Sequence, residues 1–288
     1  MINPFYFLYM FMLILPKKFD PSLAGDYDSK SKGNVLNKRT YQASPNFTRQ
    51  LQADENYPIR FRKGYHVYSA KSNYIIHYYV ANVDSNVKIL PRSKDYNNFA
   101  EIKRKYPRTT FMMNAGMFHA NYDAVGLLIS NGQLISKLDT NSREMHGNFY
   151  MYPNGVFYFN SKHQANVLKT DDFKSTKISK SDILMATQSG PMLVIDSKIH
   201  PAFSPFSKNL NIRNGVGVTP EGKLIFAISE SPVNFYDFAL FFRDYLNCPD
   251  ALYLDGAISD MYYEGSLGIN HQRNKSEGKF GPVIVISE

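Results

Sequence analysis

From about residue 59 the apolar positions recur every second residue, the spacing of a half-buried strand. Tyr74 to Leu90 (YIIHYYVANVDSNVKIL) alternates, is rich in β-branched side chains, and turns at Asp84-Ser85-Asn86. Residues 95–106 change to helical spacing, with Phe99, Ile102 and Tyr106 on one face. Thr109 to Met113 then reads as a short buried strand.

A recurring unit follows. Asn131-Gly132 separates two apolar strands in residues 126–136, Asn154-Gly155 does so in 151–159, and Glu221-Gly222 in 215–229. Asn-Gly readily adopts the positive φ angles that two-residue hairpins require, so each unit predicts a hairpin. Residues 191–200 form a fourth, weaker one. Residues 234–247 (NFYDFALFFRDYLN) predict a second helix, with Phe235, Phe238, Phe242 and Leu246 on one stripe, Asn234 as N-cap and Pro249 as stop. Ala251 to Leu254 predicts a buried strand ending at Asp255-Gly256, and Pro282 to Ile286 a closing strand. This order predicts an α+β fold: a compact mixed or antiparallel β-sheet domain over residues 59–288, with hairpins and a few packed helices.

The N-terminus follows another pattern. Residues 4–16 are an uninterrupted apolar run, shorter than the roughly 20 residues of a spanning helix and suited to the core of an export signal. Ser22 and Ala24 suit cleavage after Ala24, so residues 1–24 are expected to be a signal peptide. Lys17 and Lys18 follow the run and no basic residue precedes it, which leaves an uncleaved membrane anchor open. The run has no cysteine for a lipid anchor. Residues 25–58, rich in Ser, Asn, Asp and Lys, read as a linker. The expected location is periplasmic or extracellular.

Composition narrows the chemistry. Of 288 residues, 43% are hydrophobic and 20% charged, an ordinary globular balance. The single cysteine, Cys248, excludes an internal disulfide and a cysteine-based zinc cluster. The net charge of +8 is concentrated in residues 1–110, which carry 18 Lys and Arg against 8 Asp and Glu; the remainder carries 15 against 17. That scatter fits a solvated face or attraction to anionic envelope surfaces, and with no nucleic-acid motif no nucleic-acid partner is expected. P-loop, GxGxxG, HExxH and GxSxG patterns are absent. The seven His are dispersed, and neither a metal nor a cofactor is expected.

Three segments place polar residues where buried strands end. Met113-Asn114-Ala115-Gly116-Met117-Phe118 could offer an Asn side chain and backbone amides to an anion or a sugar hydroxyl; it also reads as a tight turn with an Asx cap. In Thr187-Gln188-Ser189-Gly190-Pro191, Ser189 and the Gly190 amide could donate to a phosphate, or the segment is a stiffened corner. Arg213, which opens the third hairpin, suits a phosphate clamp or a surface charge. In Leu254-Asp255-Gly256, Asp255 is a carboxylate at a strand end, fitting either a catalytic acid or an Asp-Gly turn.

Together these segments resemble the phosphodiester glycosidase (uncovering-enzyme) family, and most closely its bacterial exported branch. The resemblance rests on Asn114-Ala115-Gly116-Met117-Phe118, Val125-Gly126-Leu127, Gly147-Asn148-Phe149-Tyr150, residues 186–194, Arg213-Asn214-Gly215-Val216-Gly217, Pro232-Val233-Asn234-Phe235 and Tyr253-Leu254-Asp255-Gly256. It covers residues 65–288 and implies hydrolysis of a sugar-1-phosphodiester or phosphoglycan by a compact α+β domain with its site at strand ends. Applied to that reaction, Arg213, Ser189 and the Gly190 amide would hold the phosphate. Asp255, or second to it Glu230, would serve the anomeric carbon. Asn114 and Asn148 would position hydroxyl or acetamido groups, beside the backbone of Gly116 and Gly256. Ala115 departs from the family's Asn-Gly-Gly turn, and Ala257 and Ile258 from the glycines after its Asp-Gly. A non-catalytic binder of phosphoglycan or envelope polymer on the same fold is the alternative. A metal-dependent phosphodiesterase is a third reading, for which no ligand cluster can be assembled.

Overall fold

A computed structural model describes residues 60–69, 72–81, 86–96, 98–140, 147–177, 179–255, 259–263 and 280–287. The expected signal, the linker, Gly256, Ala257 and Ile258 lie outside these. The strands are β1 (Arg60–Ser69), β2 (Ser72–Ala81), β3 (Asn86–Leu90), β4 (Thr109–Asn114), β5 (Leu128–Ser130), β6 (Gln133–Ser136), β7 (Gly155–Asn160), β8 (Ala165–Lys169), β9 (Ile183–Ser189), β10 (Met192–Ile195), β11 (Lys198–Ile199), β12 (Asn214–Val218), β13 (Leu224–Ser229), β14 (Asp250–Tyr253), β15 (Met261–Tyr263) and β16 (Val283–Ser287). Among the described residues three α-helices accompany them: α1 (Phe99–Lys105), α2 (Thr170–Ser175) and α3 (Phe235–Leu240), the last continuing as a π-turn over Phe241–Tyr245.

Every strand pair is antiparallel, and the strands make three sheets. One has seven strands in the order β1-β2-β13-β12-β14-β10-β11, one has four (β15-β4-β16-β3) and one has five (β6-β5-β9-β7-β8). The fold class is α+β.

All three sheets turn an apolar face to one shared core. Tyr79 of β2, Phe111 and Met113 of β4, Phe157 of β7, Phe226 of β13 and Leu252 of β14 belong to it. Phe111 stacks on Tyr79 and Phe226, with centroids 4.3 and 5.0 Å apart. Such aromatic pairs add about 0.5–1.5 kcal/mol beyond their area, one use of the Phe- and Tyr-rich composition. Each sheet has a helix on its other face: α3 on the seven-stranded sheet, α1 with Phe99 and Ile102 on the four-stranded, α2 with Phe173 on the five-stranded. α3 and its π-turn lie close because β12 carries glycines beneath them. A Cβ on Gly217 would meet Phe242 and Cys248 at 2.8 Å, and one on Gly215 would meet the Leu252 carbonyl at 2.9 Å.

Several expectations hold at this level. The hairpins β5–β6, β12–β13 and β10–β11 form. Asn131 and Gly132 take φ of 48° and 75°, the angles of a type I′ turn. Asn234 caps α3, its Oδ1 accepting from the Asp237 amide at 2.7 Å.

Others are corrected. Residues 151–153 form no strand, so 151–159 is no hairpin. Asn154 is buried and hydrogen-bonded, and β7 starts at Gly155 to pair with β8 and β9. Tyr106 is exposed, because α1 ends at Lys105. β2 and β3 belong to different sheets. α2 was not expected: its six residues are too few for a helical period to show in the sequence. No helix among the described residues is long and apolar enough to cross a membrane.

Candidate functional site

The three sheets bring one set of ends together. β4 ends at Asn114, β9 at Ser189, β13 at Ser229 and β14 at Tyr253, while β12 begins at Asn214, just after Arg213. Asn114 ties two sheets at this point. Its Nδ2 donates to the Asp255 carbonyl at 2.7 Å, and its Oδ1 accepts from the Asp260 amide and from Asn214 Nδ2, both at 3.1 Å. The Gly116 amide donates to Thr187 Oγ1 at 3.3 Å, tying in the third sheet. A Cβ at Gly116 would lie 2.5 Å from the Gln188 carbonyl, so the turn after β4 accepts glycine alone without a shift. Asn114 is thus a brace with most of its hydrogen-bonding capacity in use, and its neighbour Ala115 is packed in the shared core.

Strand alternation sorts the candidates onto two faces. Asn214, Ile228 and His77 are register partners across β12, β13 and β2, so they share a face. Ile228 belongs to the shared core, which makes that face the inner one. Glu230, two residues past Ile228, continues it. Its Oε2 accepts from His77 Nε2 at 2.6 Å. The His77 side chain is 11% exposed and that of Glu230 41%. Arg213 lies on the other face, among the residues that pack α3.

Arg213 is 1% exposed. Its Nε donates to the Val233 carbonyl at 2.8 Å and its Nη2 to the Asn209 carbonyl at 3.0 Å. The guanidinium stacks 3.5 Å above the Phe235 ring, and Phe235 in turn stacks on Phe203 and Phe203 on His200. Burial lowers its pKa, opposed by Tyr253, yet a guanidinium stays charged in proteins. No carboxylate lies within ion-pair distance of it among the described residues. The cation is held by backbone carbonyls, by the Phe235 ring face and by Tyr253, with no ion pair among the described residues.

Ser189 is fully buried and its Oγ has no hydrogen-bond partner among the described residues. A buried hydroxyl in that state has donor capacity for a ligand or a water. Gly190 lies against Asn148 and Phe149: a Cβ there would meet the Phe149 carbonyl at 2.6 Å and the Asn148 carbonyl at 3.2 Å. The half-buried Asn148 is therefore beside the Ser189-Gly190 corner. Asp255 is half-buried, and its carbonyl accepts from Asn114 Nδ2 and from Ser259 Oγ. The described structure thus connects Asn114, Gly116 and Asp255 around one brace, and Asn148 to Gly190 around another. Glu230 lies just beyond the row formed by Asn214, Ile228 and His77, and contacts His77. Gly256 is outside the described residues.

Three side chains were missed from sequence. Gln188 fills its hydrogen-bonding capacity: its Oε1 accepts from the amides of Leu127 and Asp139 at 3.1 and 2.9 Å, and its Nε2 donates to the Asp139 carbonyl and Thr170 Oγ1 at 2.7 and 3.1 Å. Asn214 holds Asn114, and His77 holds Glu230. A polar side chain inside an otherwise apolar strand was the available signal for all three. Among the described residues, no group of three or more His, Cys, Asp or Glu could hold a metal ion.

The chain is 40% identical over 153 residues to the Escherichia coli K12 protein YigE, described as uncharacterized; the match covers 53% of this chain and 58% of YigE. The fold is similar to the zebrafish N-acetylglucosamine-1-phosphodiester alpha-N-acetylglucosaminidase catalytic domain auto-inhibited by its pro-peptide (TM-score 0.57, 18% identity, 81% of this chain and 85% of that one). It is also similar to a Burkholderia pseudomallei K96243 protein described as an exported protein (TM-score 0.53, 8% identity, 75% of this chain and 74% of that one). Residues 107–287, which span β4 to β16 and all the strand ends above, match the phosphodiester glycosidase family, and the chain belongs to that family.

Proposed function

We propose that the chain is an exported hydrolase that cleaves the glycosidic C–O bond of a sugar-1-phosphodiester. The observation that carries this reading is the buried Arg213, which has no carboxylate within ion-pair distance among the described residues, in a chain of the phosphodiester glycosidase family. A phosphate ester is a weak base and leaves with little protonation, so this reaction needs its negative charge held more than it needs an acid. The Arg213 charge, the Ser189 hydroxyl and the Gly190 amide supply that hold. A water oxygen replaces the phosphate oxygen at the anomeric carbon, the C–O bond breaks toward phosphate, and a carboxylate takes the water's proton. Asp255 is assigned that role first and Glu230 second. Asn148 orients the sugar.

The test is free-sugar release from a UDP-N-acetylhexosamine, followed by NMR in 18O-labelled water. Label in the sugar and none in the phosphate reports C–O cleavage. Asp255→Asn is expected to lose about 10²–10⁴-fold in turnover, and Arg213→Ala to lose turnover with the fold checked by circular dichroism. Full activity in either variant removes that residue from the mechanism. Heat protection by the ligand without release of sugar from any substrate would make the protein a binder.

A further inference from the structure

The His77–Glu230 contact joins a buried imidazole to a partly exposed carboxylate at the strand ends. Three rotatable bonds separate the Glu230 carboxylate from the backbone, just past the end of β13 at Ser229. An unanchored glutamate there samples several rotamers, and a carboxylate that meets a reacting carbon must occupy one. His77 is the opposite kind of residue. It lies in the interior of β2, paired on one side with β1 and on the other with β13, in register with Ile228. Its ring is nearly buried, and with Glu230 ionised its Nε2–H is the donor of the 2.6 Å bond. Alternation places this pair on the inner face, in the strand row that continues to Asn214 and through it to the Asn114 brace.

We propose that His77 is a positioning residue for the hydrolysis: it fixes the Glu230 carboxylate, which then works from the inner side of the strand ends. The inference rests on the proposed phosphodiester glycosidase reaction. It assigns Glu230 a fixed orientation and a rigid support, and it names a residue outside the 107–287 family match.

A double-mutant cycle in the full chain tests it, with sugar release from a UDP-N-acetylhexosamine as readout. His77→Ala is expected to lower kcat by about tenfold to a hundredfold, as coupled neighbours do, with little change in KM. In a Glu230→Gln background the same change is expected to cost less than about twofold, because the group it positions is gone. His77→Gln keeps an N–H donor and is expected to recover most of the rate. The 15N resonance of His77 Nε2 is expected to move in Glu230→Gln. A merely structural histidine gives equal losses in both backgrounds and no rescue by Gln, and that result overturns the proposal, as does full kcat in His77→Ala. If His77→Ala fails to fold, the Gln variant and the Glu230→Gln resonance shift decide instead. No sugar release by the unaltered protein overturns the function and this inference together; release with an indifferent His77 overturns this inference alone.

Discussion

Gln188 and His200 show what burial does to single polar side chains here. In sequence, Gln188 is one letter in a polar corner; in the fold its amide satisfies backbone groups of two separate segments, a role that depends on partners 49 and 61 positions away. His200 is 1% exposed, stacks on Phe203, and its Nδ1 accepts from the Ala202 amide. Burial depresses its pKa below the ordinary 6.5, so the folded protein holds it neutral. Below about 6.5 the unfolded chain takes up a proton at this site that the folded chain refuses, and stability falls with pH until the folded value is passed. Urea unfolding at pH 7.5 and 5.5 is expected to show this loss, and His200→Gln to reduce the difference. Equal pH slopes in the two proteins would count against it.

At the scale of elements, the hairpin and cap signals that are purely local were legible. Asn131-Gly132 turns because both residues accept positive φ. The same dipeptide at Asn154-Gly155 makes no hairpin, since the Asn154 amide is spent on the Phe149 carbonyl at 3.0 Å and its oxygen on Thr170 Oγ1 at 2.7 Å. The cap of α3 has a longer reach than its six residues suggest. Asn234 follows Val233, whose carbonyl holds the Arg213 guanidinium. Asn234→Ala is expected to cost about 1 kcal/mol, seen as a lower urea midpoint with an unchanged m-value. A variant as stable as the parent would mean that the tertiary packing of Phe235 and Phe238 alone sets this helix.

For the whole molecule, the site depends on three sheets ending together, and Asn114 is where that is enforced. Asn114→Ala removes three hydrogen bonds, one each to the Asp260 amide, the Asp255 carbonyl and Asn214 Nδ2. A stability loss of about 3 kcal/mol is expected. In the folded fraction, turnover is expected to fall as well, because Asp255 loses its support. Denaturant unfolding with turnover measured on the same sample checks both. Loss of stability with undiminished turnover would place the brace outside the reaction.

By itself the sequence determined the α+β class, most strands, the Asn131-Gly132 and Glu221-Gly222 hairpins, the Asn234 cap and the family. Each rests on local spacing, on turn chemistry, or on motifs read in order along the chain. The tertiary structure alone decided the division into three sheets around one core. It also decided the engaged state of Asn114 and Gln188, the burial of Arg213 against carbonyls and the Phe235 ring, and the meeting of His77 with Glu230 across 153 positions. Such pairings arise from strand register and the closing of distant chain ends. A hydrogen bond or a buried charge has no period along the sequence from which to read its partner.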